Sequence, residues 1–304
     1  MRGVDTTLLR QFIAAVGAEQ AKLELKWMKQ AATGFSLESM VKRRIHHEPL
    51  QYILGEETRV VACAALRIRI SPRSRYSRII SLTGSQPFGT LNLIVRPPVL
   101  IPRPETEDWA IRLAERVNAD QALLARPERL NLLDLGTGSG CIPLLLCSML
   151  PHGQITARGV DISHEAISLA NENAALCGFT DPRGNTFHAA HSDYLTSDFS
   201  PPEPVDILVA NPPYISTETI LEDDVVRYED PRALFGGPTG LDYYHSIAAL
   251  CQKSNFLTPD AIVAVEVGYQ QASAVRNIFE SVGLTGMEIW RDPWQVERTV
   301  FGRR

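Results

Sequence analysis

Four consecutive residues, Asn211, Pro212, Pro213 and Tyr214, are suited to holding a planar nitrogen. Two prolines in a row remove two backbone N–H donors and stiffen the chain, so the carbonyl of Pro212 can stand out as a fixed acceptor. The carboxamide of Asn211 supplies a second acceptor, and Tyr214 supplies a flat ring. Two acceptors and a ring indicate a receptor for the NH2 group of an amide or an aromatic amine. The structural alternative is a rigid turn where a strand ends.

The nitrogen of an amide or aromatic amine is a poor nucleophile because its lone pair is delocalised. Two N–H···O hydrogen bonds would hold the nitrogen, draw it towards a tetrahedral geometry and aim its lone pair at an electrophile. A strong general base is not required before a group is transferred to the nitrogen, since the proton can leave afterwards. We therefore predict that Asn211, Pro212 and Tyr214 are catalytic and that Pro213 joins them in binding the substrate.

A glycine-rich turn follows the apolar segment 130–135. Its glycines allow a tight turn and a close approach of the backbone to a ligand, and the helix that follows begins with free N–H groups. Asp161 ends the next apolar segment, where a carboxylate can accept hydrogen bonds from both hydroxyls of a ribose. The GxGxG spacing and an acid ahead of it favour a nucleoside methyl donor over a dinucleotide, although a plain strand-to-helix connection is the structural alternative. The candidate cofactor residues here are Asp134, Gly136, Thr137, Gly138, Ser139, Gly140 and Asp161.

A third acidic residue, Asp193, follows the third apolar segment and is itself followed by Tyr194. Asp193 could pair with the amino group of an adenine, and Tyr194 could cover the face of the base. A capped turn with one exposed aromatic residue explains the same pattern without a ligand.

The elements that must position these residues alternate between helices and short apolar strands from residue 105 onwards. This alternation predicts an α/β domain with a parallel sheet covered on both faces, and it places Asn211–Tyr214 directly after a strand, at the edge where such sheets bind ligands. We predict helices at 106–117, from 139, at 163–178 and at 242–253, and one more after 267. The predicted strands are 130–135, 155–161, 185–190, 205–210, 261–267, 287–290 and 297–302.

Two shorter regions precede this domain. Residues 1–55 predict a helical domain, with Leu8, Leu9, Phe12, Ile13 and Val16 at helical spacing and a third helix that Ser36 could cap and Pro49 would end. Residues 85–104 contain five prolines and alternate in part, which predicts a β-hairpin linker.

The composition excludes several classes of protein. No run of 18 apolar residues suggests a membrane span, and the five cysteines form neither a CxxC pair nor a ligand set for a metal. The net charge of −5 argues against binding nucleic acid through the whole surface. We therefore expect no metal, no membrane association and no direct nucleic-acid substrate.

Several motifs together resemble the HemK/PrmC family, the glutamine methyltransferases that modify the GGQ motif of class 1 peptide release factors. The likeness spans nearly the whole chain, and its most specific parts are the IPRPETE segment and the N-terminal helical region. The segments that carry it are 48–55 (EPLQYILG), 101–107 (IPRPETE), 134–141 (DLGTGSGC), 211–215 (NPPYI) and 228–240 (YEDPRALFGGPTG).

The resemblance implies a Rossmann-like, seven-stranded class I methyltransferase domain at 105–304 that binds S-adenosylmethionine. Asp193, Tyr194 and Asn211 would complete the cofactor pocket, residues 211–214 would hold the substrate glutamine, and the helical domain would grip the release factor. Arg103 and Glu105 would shape the pocket wall, with a purely structural role as the alternative. Glu266 is expected to be an internal hydrogen-bonding group and not a catalyst.

One segment departs from the family pattern. Residues 56–84 contain six arginines and no lysine and carry a charge of +4, leaving −9 for the rest of the chain, and their removal restores the continuous motif PLQYILGSQPFG. We interpret them as a retained intron, with a basic docking loop as the alternative. An intron implies a eukaryotic gene, so we expect a mitochondrial protein, and otherwise a cytoplasmic one.

Two other functions fit parts of the pattern. An adenine amino-methyltransferase acting on nucleic acid could use the same Asn-Pro-Pro-Tyr motif, but it would need a basic groove and a target-recognition domain. A binding module without catalysis is the other alternative, and the intact Asn211, Tyr214 and glycine turn speak against it.

Overall fold

The computed structural model describes residues 4–31, 37–46, 48, 84–219 and 229–304. The chain divides into two compact units. The first comprises Met1–Pro87, Asn92–Pro98 and Leu221–Glu229, and the second comprises Phe88–Leu91, Val99–Ile220 and Asp230–Arg304. The predicted insert 56–84 lies, apart from Gly84, outside the described residues.

The first unit contains three helices, as the sequence predicts: α1 Thr6–Val16, α2 Ala18–Ala31 and α3 Leu37–Ile45. Their apolar side chains form a small core that contains Leu8, Phe12, Met28, Met40 and Val41. Ile13, which shares the predicted apolar spacing, is 39% exposed instead, because it lies at the margin of the stripe that the other helices cover. The predicted cap Ser36 and the predicted terminator Pro49 lie outside the described residues.

The predicted β-hairpin is present, and its role as a linker stays a prediction. Strands β1 Ser85–Phe88 and β2 Leu91–Ile94 form a two-stranded sheet of their own. The amide of Val95 donates to the carbonyl of Gly84 at 3.0 Å, next to the first strand of the hairpin.

The second unit carries a seven-stranded sheet. Its strands are β3 Leu130–Leu135, β4 Ile155–Asp161, β5 Thr186–His191, β6 Val205–Ala210, β7 Leu257–Glu266, β8 Thr285–Arg291 and β9 Glu297–Arg303. Its helices are α4 Pro104–Ala119, α5 Gln121–Leu124, α6 Cys141–Met149, α7 His164–Cys177, α8 Asp242–Gln252 and α9 Ala272–Ser281, with a short 3-10 turn at Pro231–Ala233. The strand order is β5-β4-β3-β6-β7-β9-β8, which confirms the predicted Rossmann-like class I methyltransferase fold.

The predicted parallel sheet is present except for one strand. Strands β5, β4, β3, β6 and β7 pair in parallel, whereas β9 runs antiparallel to both β7 and β8. The connection between β8 and β9 is only residues 292–296, which is too short for the crossover that a parallel pair needs. The sheet is therefore mixed.

The central strands explain how the site edge is held in place. Every residue of β6 is buried, and β3 has one partly exposed position, as expected for strands covered on both faces. Helix α6 buries seven of its nine residues. Residues that follow β3, β4 and β6 thus begin from rigid positions at one edge of the sheet. Among the described residues, no helix is both long and apolar enough to cross a bilayer, and no cluster of His, Cys, Asp and Glu could hold a metal ion.

Candidate active site

The glycine turn between β3 and α6 has left-handed backbone at all three glycines. The φ angles of Gly136, Gly138 and Gly140 are 71°, 54° and 78°. A Cβ at Gly140 would lie 2.9 Å from the ring of Phe187, so this glycine is required by packing as well as by conformation. A Cβ at Gly136 would meet nothing within 4 Å. Gly136 therefore faces open space, where a ligand can approach the backbone.

The two hydroxyl residues of the turn point into the protein. Thr137 is buried and donates to Oδ2 of Asp134 at 2.6 Å, and its side chain packs on the backbone of Gly159. Ser139 is also buried, and its carbonyl accepts from Nδ2 of Asn173 at 3.0 Å. The predicted cofactor residues Thr137 and Ser139 are consequently buried in the turn, whereas Gly136 and Gly138 are partly exposed.

Asp134 is a buried acid with a raised pKa. Its carboxylate is 1% exposed, and Oδ1 has no hydrogen-bond partner in the described part of the chain. Burial raises the pKa of Asp134 to about 7; the hydrogen bond from Thr137 opposes this rise and the charge of Asp161 adds to it. A buried oxygen without a partner is costly unless a donor arrives. An ammonium group of a ligand would be such a donor.

Asp161 links the glycine turn to the next strand and helix. One carboxylate oxygen accepts from the amide of Gly138 at 2.9 Å, and the other accepts from the amide of Ser163, also at 2.9 Å. Burial raises the pKa of Asp161, and these amide hydrogen bonds counteract it. Each oxygen retains acceptor capacity, so Asp161 can still receive the two hydroxyls of a ribose.

Asp193 and Tyr194 follow β5, and their surroundings differ. Asp193 is exposed, and its side chain accepts from the amide of Leu195 at 2.9 Å, which makes it the cap of its own turn. Tyr194 is 6% exposed and packs on Tyr243, with ring centroids 6.3 Å apart. The alternative of an exposed aromatic residue is therefore wrong. Burial raises the pKa of Tyr194 well above its usual range, and the charges of nearby Asp161 and Asp193 add to the shift.

The Asn-Pro-Pro-Tyr corner begins where β6 ends. Ala210 is paired with Leu135, so Asn211 follows β6 at the level where Gly136 follows β3. The Nδ2 group of Asn211 donates to the hydroxyl oxygen of Thr106 at 3.2 Å. Neither Oδ1 of Asn211 nor the carbonyl of Pro212 accepts a hydrogen bond from the described residues. The two predicted acceptors thus have no hydrogen-bond partner among the described residues, and they follow β6 at the level of the glycine turn.

The rear of the corner is clamped by residues 234–240. The amide of Ile215 donates to the carbonyl of Leu234 at 3.0 Å, and the carbonyl of Ile215 accepts from the amide of Gly236 at 2.8 Å. A Cβ at Gly236 would lie 2.4 Å from the carbonyl oxygen of Pro213, so glycine is required there. These contacts leave the corner little freedom to move.

A second brace comes from the residue that precedes α9. Nε2 of Gln271 donates to the carbonyl of Tyr214 at 2.9 Å, and Oε1 of Gln271 accepts from the amide of Gly268 at the same distance. Sequence reasoning did not identify Gln271, because its role depends on a contact between two loops that are 57 residues apart.

Behind the corner lies the buried carboxylate of Glu266. One oxygen accepts from the hydroxyl of Thr106 at 2.6 Å and from Nε1 of Trp109 at 2.8 Å, and the other accepts from the phenol of Tyr214 at 3.4 Å. Burial raises the pKa of Glu266, and the donors Thr106 and Trp109 oppose the shift. The expectation that Glu266 is an internal hydrogen-bonding group is confirmed. Sequence reasoning missed Thr106 as a site residue, although it lies inside the IPRPETE motif, and it missed Trp109 as a structural donor to Glu266.

Arg103 and Glu105 lie beside the same corner. Burial raises the pKa of the Tyr214 phenol, while the charge of Arg103 lowers it and the charge of Glu105 raises it. Both side chains are partly buried at the start of α4. Their position is compatible with the predicted wall of the pocket.

The described residues fit a nucleoside-bearing methyl donor. Gly136 leaves space for close approach, the free oxygen of Asp134 suits an ammonium group, and Asp161 suits a ribose. These groups lie at one edge of the sheet, together with the acceptors of Asn211 and Pro212 that have no hydrogen-bond partner among the described residues.

Comparison with known proteins agrees with this geometry. Residues 127–267 match the family model of a methyltransferase domain. The release factor glutamine methyltransferase of Geobacter sulfurreducens is 34% identical over 97% of this chain and 93% of its own length. The chain belongs to the release factor glutamine methyltransferase family. The enzyme of the same name from Caulobacter vibrioides is 32% identical over 97% of this chain and 96% of its own length.

Membership in this family identifies the chain as a methyltransferase that uses S-adenosylmethionine. Among solved structures, the release factor-specific protein-(glutamine-N5) methyltransferase of Alicyclobacillus acidocaldarius is 26% identical, covering 69% of this chain and 98% of that chain with a TM-score of 0.38.

Proposed function

We propose that this protein methylates the side-chain amide nitrogen of the glutamine in the GGQ motif of a class 1 peptide chain release factor, using S-adenosylmethionine. The observation that carries the proposal is a pair of acceptors without a partner among the described residues, Oδ1 of Asn211 and the carbonyl of Pro212, at the end of β6 and level with the glycine turn. The names of the relatives support the choice of a release factor glutamine as the substrate.

The corner acts on the substrate by orientation. The two oxygens accept the two N–H bonds of the glutamine amide, which holds the nitrogen and directs its lone pair towards the methyl donor. The same oxygens lie where positive charge develops on the nitrogen, so they stabilise the transition state more than the ground state. The paired prolines and the clamp at Leu234 and Gly236 keep the acceptors in place before the substrate arrives.

The proton of the amide is not removed before the transfer. Glu266, the buried carboxylate behind the corner, already accepts hydrogen bonds from three side chains and is not arranged as a base. After the transfer the nitrogen carries a positive charge, is strongly acidic and loses its proton to water.

Three residues of this chain would hold S-adenosylmethionine. Asp134 would accept from its ammonium group, and Asp161 would accept from its ribose hydroxyls. Gly136 would let the backbone approach the ligand closely. When bound, this cofactor supplies an electrophilic methyl group on a positively charged sulfur. The helical unit at the front of the chain would contact the body of the release factor, and the domain limits 1–55, 85–104 and 105–304 belong to this proposal.

A methyl-transfer assay tests the function. The purified chain is given S-adenosylmethionine with a tritiated methyl group and one of three acceptors: a release factor, its GGQ→GGA variant, or DNA. We expect label on the GGQ protein alone. Label on DNA would support an adenine amino-methyltransferase, and label on the GGA variant would place the methyl group elsewhere on the release factor.

We also propose that residues 56–84 are a retained intron and that the mature protein acts in the mitochondrion. Sequencing the mature transcript tests the first point, and a message that encodes the 29 residues as its dominant form would contradict it. Imaging of the tagged protein against a mitochondrial marker tests the second, and an even cytoplasmic signal would contradict it.

A further inference from the structure

Hydrogen-bond direction within the buried network sets the orientation of Asn211. While Glu266 is ionised its carboxylate can only accept, so the two short contacts at its Oε2 then require donors. Nε1 of Trp109 is a donor by nature. The hydroxyl of Thr106, at 2.6 Å from the same oxygen, must therefore give its single proton to Glu266.

A hydroxyl that has given its proton away can only accept from a further partner. Thr106 therefore receives its hydrogen bond from Asn211, at 3.2 Å, and the group of Asn211 that faces it must be the NH2. The oxygen of the same carboxamide is then directed away from Thr106. The result is a corner whose free groups, Oδ1 of Asn211 and the carbonyl of Pro212, are both acceptors.

We propose that Thr106 is a specificity-determining positioning residue, which holds the Asn211 carboxamide so that the corner accepts an amide and rejects a carboxylate. This inference rests on the proposed function, because it concerns the choice between glutamine and glutamate at the same site. A glutamine side chain brings two N–H donors to the two oxygens. A glutamate side chain brings only acceptors, so the contacts become repulsive and nothing satisfies the oxygens.

Without the hydroxyl of Thr106, the Asn211 carboxamide would no longer be held in one orientation. After a rotation of about 180° around its terminal bond, it would present NH2 to the substrate in place of oxygen. Such a corner has one donor and one acceptor, and it no longer discriminates strongly between an amide and a carboxylate.

The experiment measures binding and does not depend on turnover. The dissociation constants of a GGQ release factor and its GGE and GGA variants are compared in the presence of S-adenosylhomocysteine. We expect the unmodified enzyme to prefer GGQ over GGE by at least about tenfold, since a site built for hydrogen-bond donors penalises an analogue that lacks them. We expect Thr106→Val to reduce that preference by about tenfold or more, and Thr106→Ser, which keeps the hydroxyl, to restore it.

A matched control separates positioning from general damage to the network. Trp109→Phe removes another donor from the same oxygen of Glu266 but leaves the link between Thr106 and Asn211. We expect it to lower the unfolding temperature while the preference for GGQ stays. Thr106→Ala provides a second variant without the hydroxyl and without added bulk, should the valine variant fold poorly.

The outcomes distinguish the two proposals. If the unmodified enzyme fails to prefer GGQ over GGA, the proposed function fails. If that preference is present but Thr106→Val and Thr106→Ala, both folded and both binding S-adenosylhomocysteine normally, discriminate against GGE as well as the unmodified enzyme does, the positioning role of Thr106 is overturned.

Discussion

Thr137 donates its hydroxyl proton to one oxygen of Asp134 at 2.6 Å, and the other oxygen of that buried carboxylate has no partner among the described residues. This half-satisfied acid lies near the end of β3, two residues before Gly136, where the left-handed backbone of the turn begins. The arrangement favours the neutral acid until a cation arrives, and this has a measurable consequence.

Affinity for S-adenosylhomocysteine should rise as the pH increases towards and past neutrality, because the pKa of Asp134 is raised to about 7 and only its carboxylate attracts an ammonium group. At higher pH, where the ammonium group of the ligand loses its proton, the affinity should fall again. Calorimetric titration across this range measures both limbs. Asp134→Asn should bind S-adenosylhomocysteine more weakly, and its affinity should no longer increase as the pH rises. If the affinity of this variant still increases with pH, another group is responsible for the titration.

The same acid affects stability in the absence of ligand, with the opposite trend. Its folded pKa lies above the unfolded value of 3.8, so the folded state holds the proton more tightly. The contribution of Asp134 to stability is therefore full below pH 3.8 and declines as the pH rises towards about 7. Thermal unfolding of the enzyme and of Asp134→Asn, compared at several pH values, isolates this contribution.

Asn211→Ala should reduce kcat/KM by about 10²- to 10³-fold, equivalent to about 2.7–4 kcal/mol of transition-state stabilisation, by analogy with the loss of one oxyanion-hole contact. Binding of S-adenosylhomocysteine should weaken far less. Equal losses in kcat/KM and in affinity for S-adenosylhomocysteine would place Asn211 in the cofactor pocket alone. Asn118→Ala is a suitable control, because Asn118 bonds the carbonyl of Met149 at the far end of α6, so the variant should lose stability and retain its activity.

Two glycine substitutions in one turn should have different effects. Gly136→Ala and Gly140→Ala both force alanine into a left-handed conformation, which costs about 1–2 kcal/mol. Gly140→Ala adds a clash with Phe187 and should lower the unfolding temperature further. Gly136→Ala meets no protein atom, so its main effect should be weaker binding of S-adenosylhomocysteine. Equal losses of stability, with binding unaffected in both variants, would argue against a ligand at Gly136.

Deletion of residues 56–84 should leave methylation and the unfolding temperature unchanged or improved. The deletion joins Gly55 to Ser85, so a glycine still precedes the hairpin. This matters because Gly84 has a φ of 66°, which alanine or a larger residue would adopt only with strain. Assay and thermal unfolding of both forms provide the comparison. A folded deletion variant that no longer methylates the release factor would support the alternative of a basic docking loop.

The sequence predicted most of what depends on local pattern. The alternation of apolar strands and helices was sufficient for the order of the elements, and it placed Asp161 and Asn211 at the carboxyl ends of parallel strands. The direction of β9 was not predicted, because the sequence of an apolar strand does not reveal which neighbour it will pair with. Its antiparallel direction follows from the short connection after β8.

Side-chain direction was harder to predict than position. Thr137 and Ser139 belong to the glycine turn, as expected, but their side chains point inwards, and Tyr194 is buried where an exposed ring was one alternative. Thr106 contacts Glu266 across 160 residues of sequence. Spacing along the chain carries no information on such contacts, which depend on how the start of α4 packs beside β7.

The position of β9 has a consequence for hydrogen exchange. Strand β8 pairs only with β9 among the described strands, so the backbone amides of the two strands should share one opening reaction. Thr299 of β9 stands opposite Glu266 of β7. Transient detachment of β8 and β9 would admit water to the carboxylate of Glu266, on which the orientation of Asn211 depends. The selectivity for an amide is therefore linked to the local stability of β8 and β9, although neither strand contributes an acceptor.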